Sequence, residues 1–280
     1  MTQLNMGFWT APMLRWAAGL IVVVNGFFPA VWILFTSLKT ETELVQKPIT
    51  WWPEAATMEN YVRAFSDQPL LHYLKNSVIV ASSATVLSLI VAAFAAYAIA
   101  RLNLKRRELI LTCIVGSSMF PLVTLLVPIF ETMRALGWLN TYTALILPYV
   151  VLNLPVCTLV LVSFFQGIPR DLENAAMIDG CTRLGALWHV VVPLAAPGVF
   201  TAGILAFVNA WDEFLLALSL NSSAEVRTLP VGITLYQGEF TFPWPIISAA
   251  LIVAIVPIAI LIAVFQERVV GGLTQGGLKG

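Results

Sequence analysis

Two adjacent carboxylates, Asp212 and Glu213, lie inside a long apolar stretch of the sequence. An ionisable group in such a stretch is costly and often functional, so the pair can bind substrate hydroxyls or carry a proton. A hydrated mouth or a contact between helices would also accommodate the two residues. A polar ligand is usually held by aromatic faces and by a few amides, hydroxyls or carboxylates. Further side chains in apolar segments that offer these groups are Tyr149, Asn153, Asn209 and Trp211.

Other reactive residue types lack the spacing that catalysis or metal binding requires. His72 and His189 are isolated, so we expect structural roles for them. The cysteines show no C-x-x-C spacing and suit reduced structural thiols; they are Cys113, Cys157 and Cys181. The sequence contains no G-x-x-x-x-G-K-[ST] phosphate loop. We therefore expect no metal, no cofactor and no enzymatic activity on this chain, and any ATP hydrolysis on a separate subunit.

The composition indicates where these residues lie. The chain has 280 residues, of which 59% are hydrophobic and only 11% are charged. A soluble domain of this size needs far more charged surface, so the chain is predicted to lie in a lipid bilayer. Its 15 Lys and Arg residues balance 15 Asp and Glu residues. Without a net positive field, nucleic acid is not expected as a partner.

Six apolar segments are long enough to cross a bilayer as helices, which takes roughly 20 residues. They are residues 16–35, 78–100, 109–130, 143–165, 198–220 and 246–265. None shows the alternation of a membrane strand, so an all-α integral membrane protein is predicted. Residues 1–280 are predicted to form a single membrane domain. Prolines within the spans, including Pro121, can kink the helices, and ordinary tolerance in membrane helices is favoured over a specific gating role for any one of them.

The orientation follows from basic residues in the short loops. Four of them lie between the second and third spans, which predicts a cytoplasmic loop; they are Arg101, Lys105, Arg106 and Arg107. Six spans then place the N-terminus, residues 166–197 and the tail 266–280 in the cytoplasm. Residues 38–77, 131–142 and 221–245 fall outside. Residues 1–13 carry no Lys or Arg, so the first span is interpreted as retained and not as a signal peptide.

The long cytoplasmic segment 166–197 has the pattern of a helix, a break and a second helix. Pro169 can begin the first helix, and the acidic residues Asp171 and Glu173 complement its positive end. Gly180 permits a turn, and a second short helix ends near Pro193. The apolar surface of such a pair needs a cover, which can be the protein's own spans or a partner.

The same segment resembles the EAA loop of ABC-importer membrane subunits, in which Glu-Ala-Ala-x-x-x-Gly is followed by an apolar-Leu-Pro ending. The matching positions are Ala175, Ala176, Asp179, Gly180 and the region 192–194. One position departs, because Asn174 replaces the Glu of the motif and Glu173 lies one residue earlier. In that family the loop is the coupling helix that contacts the ATPase subunit. The resemblance therefore assigns ATPase coupling to Glu173, Asn174, Ala175, Ala176, Asp179 and Gly180.

Two further stretches are similar to the second membrane subunit of maltose-type carbohydrate importers. Residues 209–218, Asn-Ala-Trp-Asp-Glu-Phe-Leu-Leu-Ala-Leu, resemble its fifth-span signature. The glycine-rich ending 272–280 resembles the tail that reaches between the two ATPase subunits, with Gly276, Gly277 and Lys279 as expected contacts. Together with the hydropathy pattern, the resemblance covers nearly the whole chain.

This resemblance implies the type I permease fold of ABC importers, with six transmembrane helices and a cytoplasmic coupling loop. The implied partners are a homologous second permease, two ATP-binding subunits that hold ATP and Mg, and an extracytoplasmic solute-binding protein. A carbohydrate substrate, an oligosaccharide or polyol-like solute, and a prokaryotic plasma membrane are implied as well. The mechanism would be alternating access.

Two alternatives stay open within the transport class, namely an ABC permease for a non-sugar solute and an ion-coupled transporter that uses Asp212 and Glu213. An integral-membrane enzyme is a third alternative, but it should show a His/Asp cluster or metal motif, and none is visible in the sequence.

Overall fold

The computed structural model describes the backbone of residues 7–238 and 241–277, and the side chains of residues 16–238 and 241–265. These parts are helical and contain no strand. The helices are α1 (Gly7–Leu38), α2 (Glu41–Val45), α3 (Glu59–Ser66), α4 (Leu70–Arg101), α5 (Arg107–Ser118), α6 (Leu122–Ala135), α7 (Tyr142–Gly167), α8 (Arg170–Ile178), α9 (Arg183–Ala186), α10 (Val192–Leu194), α11 (Ala196–Asp212), α12 (Leu215–Leu220), α13 (Leu229–Thr234) and α14 (Trp244–Gly277). A π-helical turn, Leu187–Val191, connects α9 to α10.

Four of the helical segments are long and apolar enough to cross a membrane without interruption: Trp16–Leu38, Leu70–Arg101, Tyr142–Gly167 and Trp244–Phe265. The other two predicted spans are not single straight helices. The third is divided into α5 and α6, which meet at 89°. The fifth begins with α11, which meets the preceding helical segment, Arg183–Leu194, at 82°. Counting each bent pair as one span gives six, so the predicted all-α membrane fold is confirmed.

Three boundaries differ from the sequence prediction. Helix α4 begins at Leu70, so Tyr73 belongs to this helix and not to the predicted loop 38–77. Pro121 lies at the sharp bend between α5 and α6, which divides the third predicted span. A proline ring at this position favours the start of a new helix over continuation of the old one. The fifth predicted span is broken after Asp212, since α11 ends there and α12 begins at Leu215.

The chain forms two compact units, one containing Met1–Pro69 with Ile233–Ile255 and the other Leu70–Gly232 with Val256–Gly280. In the second unit, α4, α7 and α11 pack against one another. Small side chains on α4 and α11 let the backbones approach closely, as is common between membrane helices. The buried core includes Ala92, Ala96, Ala202 and Ala206, with Leu161 and Phe165 from α7. This packing positions the loop between α7 and α11 and the residues around Asp212 and Glu213.

In the first unit, the end of α1 is fixed by polar contacts from the following segment. Asn60 of α3 donates from its amide to the carbonyls of Ser37, at 2.9 Å, and Lys39, at 2.8 Å. These bonds satisfy carbonyls that a helix end leaves without partners. The buried Lys39 ammonium donates to the carbonyl of Thr50 and lies 5.4 Å from the ring centre of Trp32.

A buried carboxylate in this unit should make its stability depend on pH. Desolvation by burial raises the pKa of Glu43, but hydrogen bonds from the Glu54 N–H, at 3.0 Å, and the Thr50 hydroxyl, at 2.8 Å, together with Lys39, outweigh it and lower that pKa below its ordinary value. The stabilisation is therefore present above the ordinary value and is lost as the pH falls through the lowered one. The hydrogen-exchange protection factors of residues 39–54, which are referred to the intrinsic exchange rate at each pH, should fall in acid, and Glu43→Gln should weaken this pH dependence. An unchanged acid response in that variant would contradict the assignment.

Candidate functional site

The loop between α7 and α11 is a helix, a tight turn and a second helix, as predicted. Helix α8 ends at Ile178 in a hydrogen-bonded turn in which the Cys181 N–H donates to the Ala176 carbonyl, at 2.9 Å, and the Gly180 N–H to the Met177 carbonyl, at 3.2 Å. This pattern requires a left-handed residue, and Gly180 supplies it with φ +94°. The Thr182 hydroxyl then accepts the Gly185 N–H at 3.1 Å and begins α9.

A buried ionic cluster joins this loop to the end of α4. Glu173 is 7% exposed; its carboxylate accepts a hydrogen bond from the Tyr97 hydroxyl and lies 3.3 Å from the Arg101 Nε. Arg101 also donates to the carbonyl of Ile168, at 2.9 Å, where α7 ends. One guanidinium therefore holds both the end of α7 and the side of α8. Glu173 faces into the chain, and its assigned role in ATPase contact stays a prediction.

The opposite side of the loop is exposed and partly apolar. Of the predicted coupling residues, Asn174, Ala175, Asp179 and Gly180 are exposed and Ala176 is half-buried. Three large apolar side chains lie open beside them: Ile178 is 85% exposed, Leu184 is 58% exposed and Leu172 is 46% exposed. We call Leu172, Ile178 and Leu184 the exposed edge. Apolar groups with this exposure next to a rigid turn form a surface suited to contact with another protein.

The second half of the loop is fixed by apolar packing. Leu187 and Val191, in the π-helical turn, are fully buried in the core that α4, α7 and α11 share. The Val192 N–H bonds to the Leu187 carbonyl, five residues back, which makes this turn wider than an α-helix. Single π turns within helices are frequent at functional sites. The loop is thus anchored by Glu173 on one side of Gly180 and by Leu187 and Val191 on the other.

Replacing Gly180 with Ala should distort this turn, because a side chain at φ +94° is strained even though the space beside it is free. We expect a local cost of about 1–2 kcal/mol and, if the loop couples transport to ATP hydrolysis as the resemblance implies, less transport per ATP hydrolysed. Gly116→Ala is the matched control, since no neighbour lies within 4 Å of its Cβ position and its φ is not positive. Transport and ATPase rates measured on the assembled complex check this. Unchanged transport with normal assembly would contradict a role for the turn.

The second group of candidate residues lies at the break between α11 and α12. Glu213 accepts three hydrogen bonds: from the Tyr149 hydroxyl at 2.6 Å, the Leu216 N–H at 2.8 Å and the Ala217 N–H at 3.1 Å. The two N–H groups belong to the first turn of α12, so Glu213 caps that helix. The structure therefore brings Tyr149 and Glu213 together. It also shows that the Glu213 carboxylate is occupied by protein donors.

The remaining candidates are divided between polar and packing positions. The buried Asn153 accepts from the exposed Asn209 at 3.3 Å and donates to the Ala206 carbonyl at 3.4 Å. Trp211 is 3% exposed and stacks on Phe207, with ring centres 5.5 Å apart, so its ring is a packing element. Asp212 is exposed at the last position of α11. The polar groups open to solvent are those of Asn209 and Asp212.

Asp212 and Glu213 should respond differently to neutralisation. Asp212→Asn removes an exposed charge, so we expect unchanged thermal stability and a raised KM if Asp212 contacts substrate. Glu213→Gln replaces an acceptor oxygen with an N–H donor facing hydrogen-bond donors, so we expect a loss of about 1–3 kcal/mol of stability. Melting temperatures and uptake kinetics of both variants separate the two roles. Equal destabilisation by both would contradict the cap assigned to Glu213.

Sequence reasoning missed two members of the loop cluster, Tyr97 and Arg101. Arg101 was assigned only to the basic loop that sets the orientation, and Tyr97 was not singled out. The signal that could have found Arg101 is its position, directly after the end of the predicted span 78–100. The partner could not be identified because the contact joins residues that are 72 positions apart in the sequence.

The tail prediction can be followed only in part. Gly276 and Gly277 lie at the end of α14, but their surroundings, like Lys279, fall outside the described residues. Within residues 16–238 and 241–265, no group of His, Cys, Asp and Glu side chains could hold a metal ion.

The helices and the anchored loop define a multi-span membrane protein with an exposed helical loop between α7 and α11. The chain belongs to the family of binding-protein-dependent transport system inner membrane components, whose model matches residues 71–275. It is thus a membrane permease component of a transport system.

Relatives match over nearly the full chain. The chain is 71% identical over 273 residues to the sulfoquinovosyl glycerol transport system permease protein SmoH of Agrobacterium fabrum, covering 98% of this chain and 96% of that protein. It is 40% identical to the trehalose/maltose transport system permease protein MalG of Thermococcus litoralis, covering 93% and 94%. It is 39% identical to the trehalose transport system permease protein SugB of Mycobacterium tuberculosis, covering 93% and 95%.

A solved structure supports the fold. A chain from a bacterial ABC transporter involved in the import of the acidic polysaccharide alginate matches with a TM-score of 0.80 at 20% identity, covering 95% of this chain and 99% of that one. At this identity the likeness concerns the fold alone. The type I permease fold is confirmed by this match and by the family.

Proposed function

We propose that this chain forms half of the translocation pathway of an ATP-driven importer for a carbohydrate and receives motion from a separate ATPase subunit. The observation that carries the proposal is the loop between α7 and α11. Its inner side is fixed by the buried Glu173 and Arg101 pair, while its exposed edge is open. A loop that is rigidly attached on one side and apolar on the other can pass force from a bound partner to α4 and α7.

The proposed partners follow from this arrangement and from the absence of a phosphate loop in the sequence. Two ATP-binding subunits, which hold ATP and Mg, would contact the exposed edge and the residues around Gly180. The tail with Gly276, Gly277 and Lys279 would reach the same subunits. A homologous second permease would supply the other half of the pathway. The family description, a binding-protein-dependent system, supports an extracytoplasmic solute-binding protein as the donor of substrate.

The substrate proposal draws on the relatives and on the broken helix. SmoH is named for sulfoquinovosyl glycerol and MalG for trehalose and maltose, so a small glycoside is the expected class. The break after Asp212 leaves the last carbonyls of α11 without helical partners, as in the discontinuous helices that form transporter binding sites. Asn209 and Asp212 offer exposed polar groups beside it.

The proposed location is the plasma membrane of a prokaryote, with both termini in the cytoplasm. The contact of Arg101 with Glu173 and Ile168 supports one part of this topology, because it places the start of the basic loop beside the coupling loop. Basic loops favour the cytoplasmic side, and the proposed ATPase contacts require the same side. In transport, closure of the ATPase pair would move the loops and open the pathway alternately to the two sides.

Co-purification tests the proposal. The tagged chain, extracted from its native membrane in mild detergent, should bring down a P-loop ATPase and a second permease. The reconstituted complex should hydrolyse ATP faster when the loaded solute-binding protein is added. Sulfoquinovosyl glycerol is the first substrate to test, with trehalose and maltose for comparison. A chain that purifies alone and transports under an ion gradient would overturn the proposal and favour the ion-coupled alternative.

A further inference from the structure

An open cavity of about 450 Å³ lies where α4 and α7 end and the coupling loop begins. Three arginines line it, Arg101, Arg107 and Arg170, together with Gln166 and the backbone near Ile168. None of the lining residues in the described chain is acidic. The cavity is therefore strongly basic and belongs to the second unit alone.

The charges in this cavity are only partly compensated. Arg101 is paired with Glu173, but neither Arg107 nor Arg170 forms an ion pair with any carboxylate of the described residues. The Arg107 Nε is inaccessible to solvent and has no hydrogen-bond partner. A buried donor without a partner is costly, so an anion in the cavity beside this guanidinium would stabilise the region by supplying the missing negative charge.

The position of Arg107 in its helix adds to the imbalance. It is the first residue of α5, a helix of 12 residues, where the helix dipole is positive; the acidic residue of the same turn, Glu108, does not line the cavity. A cation at this end is unfavourable and an anion is favourable. The cavity thus combines the positive end of a helix with two guanidinium groups that lack a counter-charge. Guanidinium groups bind the oxygens of a phosphate in a bidentate manner.

The position of the cavity indicates that the phosphate it binds belongs to a lipid headgroup. Helix α4 ends at Arg101 and α7 ends at Gly167, so the cavity lies at the ends of two membrane spans, where lipid headgroups are found. Basic pockets between transmembrane helices bind anionic lipid headgroups. We propose that this cavity binds the phosphate of an anionic phospholipid and that the bound lipid stabilises the junction between α7 and the coupling loop. The binding itself is independent of the proposed function, whereas an effect on transport rests on it.

The test uses the full-length chain with the subunits that co-purify, depleted of native lipid in detergent. Phosphatidylglycerol and phosphatidylcholine with identical acyl chains are added separately, and inorganic phosphate is a third addition. Native mass spectrometry counts retained lipid, and a melting curve reports stability. We expect preferential retention of phosphatidylglycerol and a raised melting temperature with that lipid alone. Equal retention of the two lipids, or the same protection by inorganic phosphate, would overturn the proposal.

Variants locate the site. Arg107→Gln combined with Arg170→Gln should weaken phosphatidylglycerol retention by roughly tenfold or more. The control combines Arg63→Gln with Arg134→Gln, which removes the same charge from two exposed arginines away from the cavity and should leave retention unchanged. Arg107→Lys keeps the charge without the planar fork and should give an intermediate loss. Unchanged lipid retention in the double variant with loss of a co-purifying ATPase subunit would show a protein interface and overturn the lipid assignment.

Discussion

Replacing Glu173 with Ala is expected to abolish transport and to destabilise the second unit by about 3–5 kcal/mol, because it leaves the Arg101 guanidinium buried without its counter-charge. Tyr97 loses its acceptor in the same variant. Thermal melting of the purified complex and uptake assays measure the two effects. Glu131→Gln is the control, since its ion pair with Arg134 is exposed and is worth about 0–1 kcal/mol.

A double variant separates stability from coupling at this cluster. Arg101→Leu with Glu173→Leu removes both charges, and such apolar replacement of a buried pair is often neutral for stability. If the pair transmits motion, the double variant should be stable and assembled but should hydrolyse ATP without transport. Normal uptake by this stable variant would show that the pair contributes to folding only.

Replacing Gly198 with Ala should disrupt the contact between α11 and α7. A Cβ atom at this position would lie 2.3 Å from Cγ and 2.8 Å from Cβ of Phe164, atoms that cannot move without displacing the side chain at its base. We expect a loss of about 1–3 kcal/mol from overpacking, together with reduced assembly and uptake. Melting temperature and the yield of assembled complex are the measurements.

Two companion variants make this prediction specific. Phe164→Ala combined with Gly198→Ala should recover only part of the lost stability, because it removes the overlap with Cγ and leaves the Cβ of residue 164 at 2.8 Å. Gly203→Ala, on the same helix, should have little effect, since its nearest neighbour is the flexible end of Leu89 at 3.3 Å. If Gly198→Ala is as harmless as Gly203→Ala, close packing of α11 against α7 is not required.

Local features of the loop between α7 and α11 could be predicted from the sequence because short-range rules determine them. Pro169 begins a helix, Gly180 adopts a positive φ and Pro193 limits the second helix, and each effect depends on a residue and its near neighbours. The orientation of Glu173 could not be predicted, since it depends on Tyr97 and Arg101 from a distant helix. For the same reason the EAA resemblance predicted the loop's position but not which side of α8 faces inward.

In the membrane segments, too, local sequence predicts some features and misses those that depend on tertiary contacts. Hydropathy predicts where the chain is apolar enough to cross the bilayer; α7 follows that prediction closely, whereas α4 begins eight residues before the predicted start at residue 78. It does not detect the break after Asp212, because residues 214–220 continue the apolar run. The capping of α12 by Glu213 and its bond to Tyr149 explain the break, and both are tertiary contacts. Asp212 and Glu213 look equivalent in the sequence, but the Glu213 carboxylate accepts three hydrogen bonds from the protein, whereas Asp212 is exposed.

The π-helical turn at Leu187–Val191 makes the number of residues in this segment important independently of their types. Deleting one residue there would restore an α-helical path and rotate the preceding helix by about 100° relative to α11. Leu184 and the turn at Gly180 would then face a different direction while every remaining side chain was unchanged. A single-codon insertion or deletion in this segment is thus a larger change than most substitutions, and family members should keep its length more strictly than its composition.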